Sequence, residues 1–199
     1  VVLLGILAIY FAEILESTDS ETLENLKKDI FDLPKKIETS LKTSDEVKKF
    51  AKKISKEKDV FFIGRGSDYN VALEGSLKLK EISYIHSEAY ASGELKHGPI
   101  ALIENGITVV ATMTDKRLVE KSISNVQEVV TRGAKVLLIT SEDIKNDGFD
   151  TVIKIPKTSP LISPILSVIP MQVLSYYISK EKGLDVDKPR NLAKSVTVE

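Results

Sequence analysis

The sequence contains no cysteine and no tryptophan, and its only histidines are His86 and His97. The absence of thiols excludes disulfides, thiolate metal ligands and cysteine nucleophiles within these 199 residues. Two histidines are also too few for an ordinary histidine-based metal site. The composition therefore predicts no metal site, and we expect no cofactor.

The chain also has no large excess of positive or negative charge, and no apolar run long enough to span a membrane. Lysine and arginine number 28 against 29 acidic residues, so there is no basic surface for nucleic acid and none is predicted as a partner. Residues 1–12 are uncharged and apolar, but a bilayer-spanning helix needs about 18–20 such residues. They also lack the basic start of a signal peptide. We expect a buried helix here that packs against upstream chain, and no membrane partner.

The rest of the chain changes from a purely helical pattern to alternating strands and helices at residue 59. Helices are predicted at 21–33, 34–41 and 44–54, the last with a Thr43–Asp45 cap, and then at 71–85, 116–132 and 162–182. Apolar runs at 59–63, 107–113, 134–139 and 151–155 predict strands. Uninterrupted strands separated by helices indicate an α/β three-layer sandwich with a mostly parallel, flavodoxin-like sheet, preceded by helices.

The helix predicted at 71–85 has an unusual arrangement of charges. At about 100° per residue, Glu74, Lys78 and Glu81 fall on one stripe between two apolar arcs. One interpretation is an intrahelical ion pair that supports a buried helix by about 0.2–0.5 kcal/mol. The other is chemistry, because partly dehydrated charges persist when they are paired or when they react.

Two turns are further candidates for function. The loop from Gly93 to Pro99 contains His97, whose imidazole suits proton transfer near neutral pH, although a structural role stays open. His86, next to the end of the helix, is interpreted as structural. Gly64 to Ser67 follows a strand and begins a helix, where anions bind, but an unoccupied tight turn explains it equally well. The turn at Thr112–Arg117 has no glycine and does not resemble a phosphate site.

Two segments resemble a known family closely. They are LEGSLKLKEISYIHSEAYASGELKHGP at 73–99 and DKPRNLAKSVTVE at 187–199, and both are similar to the isomerising glutamine:fructose-6-phosphate amidotransferases. The resemblance covers essentially the whole chain and implies a sugar-isomerase (SIS) fold. It implies a helical lead-in at 1–43, formed by the last helix of a first SIS domain and linker helices. The second SIS domain would follow at 44–190 and a C-terminal catalytic tail at 191–199.

The resemblance also implies roles for individual residues. Glu81 matches the base that moves a proton between C1 and C2 of the sugar. Lys78 matches a lysine on the same helical face and is also predicted to be catalytic. His97 matches the histidine that opens the sugar ring and that enters the neighbouring subunit's site. Lys194 matches the lysine that engages the open-chain carbonyl as an imine.

For substrate binding, the resemblance suggests Ala193, and the turn from Gly64 to Ser67 adds Gly64 and Ser67. We expect this turn, the Lys78 and Glu81 face and the C-terminal tail to meet in one cleft at the carboxyl-terminal edge of the sheet. The implied enzyme is a cytoplasmic homodimer of amino-sugar biosynthesis, on the path to UDP-N-acetylglucosamine. It converts fructose 6-phosphate and glutamine-derived ammonia to glucosamine 6-phosphate. Its glutaminase and first SIS domains would lie upstream, so this chain alone is expected to be inactive. The alternative is a non-catalytic SIS module that binds phosphosugars for regulation or assembly.

Overall fold

The computed structural model describes residues 1–192, which form seven α-helices and one five-stranded sheet. Short 3-10 helices also occur at Ser92–His97, Pro99–Leu102 and Lys116–Leu118. In chain order the elements are α1 (Val2–Ile14), α2 (Ser20–Phe31), α3 (Leu33–Leu41), α4 (Ser44–Ile54), β1 (Asp59–Gly64), α5 (Ser67–Ser83), β2 (His86–Ala91), β3 (Thr108–Met113), α6 (Val119–Val130), β4 (Lys135–Thr140), β5 (Thr151–Lys154) and α7 (Ser163–Glu181).

The sheet is parallel throughout, and its strand order is β2-β1-β3-β4-β5. The chain leaves β1 toward β2 and then returns to place β3 on the other side of β1. This reversal makes the fold doubly wound, with its switch point between β1 and β3. The predicted α/β sandwich with a parallel sheet is therefore confirmed.

Two apolar cores cover the two faces of the sheet, because successive strand residues point to opposite sides. One core joins Phe62 and Leu137 of the strands to α4, α5 and α7. The other joins Ile63 and Leu138 to α6. Gly75 of α5 allows a close approach to α7, since a Cβ there would lie 2.2 Å from the Met171 sulfur. The central helix is thus held tightly between the sheet and α7.

The edge strand β2 was not predicted from the sequence. Residues His86–Ala91 pair with β1 along its whole length, whereas His86 was expected near the end of the central helix. That helix ends at Ser83, and Tyr84 follows in a left-handed conformation. The sequence HSEAYA is half polar and lacks the β-branched run that marks the other strands, because only some of its side chains face a core.

Local sequence features explain where the early helices begin. The Asp19 carboxylate accepts the Thr22 N–H at 2.7 Å and begins α2. Pro34 lies in the first turn of α3, where its missing N–H has no cost. Thr43 occupies the predicted N-cap position of α4, but its hydroxyl donates to the Ser40 carbonyl at 2.7 Å and accepts no N–H of α4.

The first helix is exposed, although a buried helix was expected. Only Gly5 and Ile9 of α1 are buried, while Leu3, Leu4, Phe11 and Ile14 lie more than half exposed. The helix packs mainly on α2. Among residues 1–192, no helix has both the length and the apolarity needed to cross a membrane.

Candidate functional site

The charged stripe on α5 forms a three-residue ion-pair cluster. Lys78 Nζ donates to Glu81 Oε2 at 2.7 Å and lies 3.5 Å from Glu74 Oε1. The hydrogen bond to Glu81 raises the pKa of Lys78, so this side chain stays an ammonium near neutral pH. The side chain of Glu81 is only 28% exposed. Lys78 therefore holds a partly buried carboxylate in one orientation.

Only one of the two apolar arcs that flank this stripe is buried. Val71, Ala72 and Leu79 pack into the core, whereas Leu73 and Leu77 lie on the surface. Glu81 therefore stands at the boundary between the core and an apolar surface that residues 1–192 leave open. A carboxylate in this position is accessible to a small molecule and still restricted in movement.

A pocket of about 510 Å³ opens beside Glu81 at the amino-terminal edge of the sheet. It brings the end of α5 together with the last described residues of the chain. No group of His, Asp and Glu within residues 1–192 has the arrangement of a metal site. The pocket is lined by Leu77, Lys80, Glu81, Tyr84, Ile85, His86, Arg190, Asn191 and Leu192.

The segment after α7 follows an ordered path to this pocket. The Leu184 N–H donates to the Ser179 carbonyl at 3.0 Å, and the Asp187 N–H donates to Asp185 Oδ1 at 2.9 Å. The backbone N–H of Arg190 then donates to Tyr84 Oη at 2.8 Å. The chain is thus led back to the end of α5. Ala193 and Lys194, two of the predicted site residues, lie outside the described residues.

A larger pocket of about 730 Å³ lies on the other side of Tyr84, between the ends of α4 and α7. It includes Lys182, whose pKa is lowered by burial and further by the positive charge of Arg190. Glu81, Lys78 and His97, the predicted catalytic residues among 1–192, do not line it. We therefore take the smaller pocket, which contains Glu81 and the tail, as the candidate site.

Gly64 and Ser67 do not belong to this pocket. They stand at the carboxyl-terminal edge of the sheet, at the start of α5, whereas Glu81 is near its end. At 1.5 Å per residue, Ser67 and Glu81 are about 21 Å apart along the helix. The expectation that this turn, Glu81 and the tail share one cleft at the carboxyl-terminal edge is therefore wrong. A helix that crosses the whole domain separates its two ends.

The switch point at the carboxyl-terminal edge is filled by internal hydrogen bonds. Asp68 is buried, and its carboxylate accepts the Thr114 N–H at 2.8 Å and the Thr114 hydroxyl at 2.6 Å. Burial raises the pKa of Asp68 although these two bonds oppose the shift. Beside it, the Arg65 guanidinium donates to Asn125 Oδ1 at 3.1 Å. A carboxylate thus occupies the place where an anion binds in many doubly wound folds.

His97 is also far from Glu81 within the chain. It ends a 3-10 helix that follows the carboxyl end of β2, and its side chain is exposed. Glu81 precedes the amino end of the same strand, and a six-residue strand is about 20 Å long. One copy of the chain therefore does not bring His97 and Glu81 to the same pocket. His86, interpreted as structural, is exposed and hydrogen-bonds Asp59 at 2.8 Å.

Tyr84 and Arg190 line the pocket but were not predicted as site residues. The Arg190 guanidinium lies 4.1 Å from the centre of the Tyr84 ring. No periodicity in the sequence indicates this contact, because the two residues are far apart in the chain. The only sequence signal was that each falls inside one of the two segments that carry the family resemblance.

Comparisons with known proteins agree with this architecture. The SIS domain family matches residues 53–179. The chain is 60% identical over 197 residues to a glutamine–fructose-6-phosphate aminotransferase (isomerizing) of Clostridium perfringens, covering 97% of this chain and 32% of that protein. The corresponding protein of Thermococcus kodakarensis is 42% identical over 98% of this chain, which covers 33% of it. The chain therefore spans about a third of these relatives.

Among solved structures, the fold matches the C-terminal domain of glucosamine-fructose-6-phosphate aminotransferase from Francisella tularensis. The TM-score is 0.87 at 35% identity, over 93% of this chain and 53% of that chain.

Proposed function

Because this chain belongs to the SIS-domain family, we propose that it forms the C-terminal part of the isomerase region of a glutamine–fructose-6-phosphate aminotransferase. In this proposal the whole enzyme makes glucosamine 6-phosphate from fructose 6-phosphate and glutamine-derived ammonia. The observation that carries it is Glu81, which Lys78 holds through a hydrogen bond and which lines a pocket that the last described residues of the chain also reach. Residues 1–43 are its helical lead-in, 44–190 the second SIS domain and 191–199 the catalytic tail.

The chemistry of the proposed reaction suits these side chains. The carboxylate of Glu81 removes a proton from a carbon next to a carbonyl or imine and returns it to the neighbouring carbon. Lys78 keeps that carboxylate in place through its 2.7 Å hydrogen bond. Lys194 supplies the amine that condenses with the open-chain carbonyl, and water leaves as the imine forms. Ala193 would contact the substrate beside it.

The position of His97 supports a homodimeric enzyme. It opens the sugar ring in this proposal, yet one chain keeps it at the opposite edge of the sheet from Glu81. A second copy would bring its own His97 to the site, which explains why an exposed imidazole is placed so far from the base. We assign the enzyme to the cytoplasm.

The phosphate of the sugar is proposed to bind outside this chain, in an upstream SIS domain. Asp68 and Thr114 fill the switch point with a carboxylate, which disfavours an anion there. The Gly64–Ser67 turn therefore makes at most a secondary contact with substrate. Binding of the remote phosphate orients the reacting carbons. The chain alone is therefore expected to convert fructose 6-phosphate neither to glucosamine 6-phosphate nor to glucose 6-phosphate.

The test replaces Glu81 by glutamine in the full-length enzyme and measures glucosamine 6-phosphate made from fructose 6-phosphate and ammonium. Removing a general base costs about 10²–10⁴-fold in rate, so we expect a loss of that size. Glu74→Gln is the matched control, because Glu74 contacts the same Lys78 at 3.5 Å but does not line the pocket. It should keep the rate within about threefold.

Two results would contradict the proposal. A Glu81→Gln enzyme that keeps its rate would remove the proton-transfer role, provided that its glutaminase activity shows it to be folded. A wild-type protein that binds fructose 6-phosphate without converting it would instead favour a non-catalytic binding module. The 199-residue chain, assayed in parallel, should form no glucosamine 6-phosphate and no glucose 6-phosphate.

A further inference from the structure

We propose that Tyr84 and Arg190 form a clamp that positions the C-terminal tail, and with it Lys194, against Glu81. The inference rests on the proposed function, because it assigns a positioning role within the same reaction. Neither residue needs to touch substrate. The clamp is defined by these two side chains and the hydrogen bond between the Arg190 backbone and the Tyr84 hydroxyl.

The backbone of Tyr84 is the first reason to look for such a role. Its φ is +59°, in the left-handed region that ends α5. Glycine or asparagine normally takes this position at a helix end, and a bulky side chain there is disfavoured. A residue that only ended the helix would be better served by glycine. A strained backbone conformation of this kind persists where contacts of the side chain with the surrounding structure hold it in place.

The contacts of Tyr84 show what the side chain does. Its hydroxyl oxygen accepts the backbone N–H of Arg190 at 2.8 Å, and its ring centre lies 4.1 Å from the Arg190 guanidinium carbon. One tyrosine thus fixes both the main chain and the side chain of Arg190. A planar guanidinium stacks on an aromatic face, which a lysine ammonium does not reproduce.

The shape of the tail directs it to this contact. Gly183, at a φ of +68°, turns the chain out of α7, and the Asp185 carboxylate accepts the N–H groups of Asp187 and Lys188 at 2.9 and 3.3 Å. Beyond the clamp, Asn191 has a φ of +61° and turns the chain again. The side chain that follows, Leu192, is 54% exposed. Burial of apolar surface therefore does little to hold this end of the tail.

The distances along the chain suit a positioning role. Tyr84 is three residues after Glu81, which corresponds to about 4.5 Å of helix rise. Lys194 is four residues after Arg190, so its Cα stays within about 14 Å of the clamped residue. Holding Arg190 thus confines Lys194 to the neighbourhood of Glu81.

The kinetic test uses the full-length enzyme. Tyr84→Phe keeps the ring and removes the hydroxyl, and it should lower kcat about 3–10-fold, the value of one hydrogen bond. Tyr84→Leu should lower kcat by about 30-fold or more, since it also removes the ring that Arg190 stacks on. The KM for fructose 6-phosphate should stay within about twofold, because the phosphate contacts are unchanged.

Substitution of Arg190 completes a double-mutant cycle with the Tyr84 variants. Arg190→Lys keeps the charge but loses the planar stacking, and we expect a loss of kcat of several-fold. Since both side chains act through one contact, the Tyr84→Leu/Arg190→Lys double variant should be no slower than the worse of these two single variants. Tyr176→Leu is the matched control: Tyr176 also carries a cation, Lys180, over its ring at 5.6 Å but lies outside both pockets at this edge. Its kcat should be unchanged.

A readout without catalysis is limited trypsin digestion of the full-length protein. The clamp holds the backbone and side chain of Arg190, which must leave Tyr84 to enter the protease site. Tyr84→Leu should therefore release residues 191–199 at least about tenfold faster than wild type or Tyr176→Leu. Equal cleavage rates would overturn the clamp, as would fully additive losses in the double variant. If the wild-type enzyme makes no glucosamine 6-phosphate, the proposed function fails, and the cleavage rates still decide whether the tail is held.

Discussion

The helices α1 and α7 are both apolar on nearly every side, yet one is exposed and the other is buried. Leu4 of α1 is 70% exposed, whereas Leu174 of α7 is 0% exposed. α7 packs on α4 and α5 over the sheet, and α1 packs mainly on α2. The comparison shows that an apolar sequence indicates a need for burial but does not say which surface provides it.

The exposed face of α1 has a simple explanation under the proposed function. There α1 is the last helix of a preceding SIS domain, as α7 is the last helix of this one. Its leucines would then be covered by a core outside residues 1–192. A contiguous apolar patch of this kind favours association with another surface.

The largest expected difference between the two helices concerns leucine truncation. In the 199-residue chain, Leu174→Ala should lower the free energy of unfolding by about 2–5 kcal/mol, because it leaves a cavity in a closed core. Leu4→Ala should change it by less than about 0.5 kcal/mol. Urea unfolding followed by circular dichroism measures both. Equal losses would mean that α1 is already part of a folded core in this chain.

Self-association should depend on α1 and not on α7. We expect the 199-residue chain to associate through α1, and Leu4→Lys should weaken that association about 10–100-fold, since a leucine buried at an interface contributes about 1.5–3 kcal/mol. Sedimentation at tens of micromolar gives the constants. Leu102→Lys, at another exposed leucine, is the control and should leave them unchanged. A wild-type chain that stays monomeric would contradict this use of α1.

Effects of opposite sign should come from adding a methyl group at a glycine of each region. A Cβ at Gly75 would lie 2.2 Å from the Met171 sulfur of α7, so Gly75→Ala should destabilise the chain by about 1–3 kcal/mol. A Cβ at Gly5 of α1 meets no atom within 4 Å, so Gly5→Ala should stabilise it by about 0.5–1 kcal/mol. Thermal unfolding distinguishes the two signs. Destabilisation by Gly5→Ala would show that α1 is closely packed.

Much of the fold could be predicted because its strands are chemically distinct. The strands β1, β3, β4 and β5 are continuous apolar runs, and their predicted bounds differ from the observed ones by one residue at most. The edge strand β2 is half polar, since it is covered less completely than the central strands, and no sequence pattern identified it. The end of α5 was misplaced because a tyrosine in a left-handed conformation has no sequence signature.

The site was predictable where it depends on local spacing. Positions three and four apart on a helix meet, so the contacts of Lys78 with Glu74 and Glu81 follow from the sequence. The wrong expectation placed Glu81 and the Gly64–Ser67 turn in one cleft, because the sequence does not say that opposite ends of α5 lie at opposite edges of the sheet. The resemblance supplied Lys194 and Ala193, whose roles stay predictions.

By itself, the sequence determined the periodic features of this protein: its apolar strands, its helices, the charge cluster on α5 and the exclusion of thiol chemistry. These depend on residues close together in the chain, where geometry is fixed by the helix and strand repeats. Only the tertiary structure decided which helix is covered, that Asp68 fills the switch point, and that Tyr84 meets Arg190 beside Glu81. Such contacts join residues far apart in sequence, and they depend on how all the elements pack together.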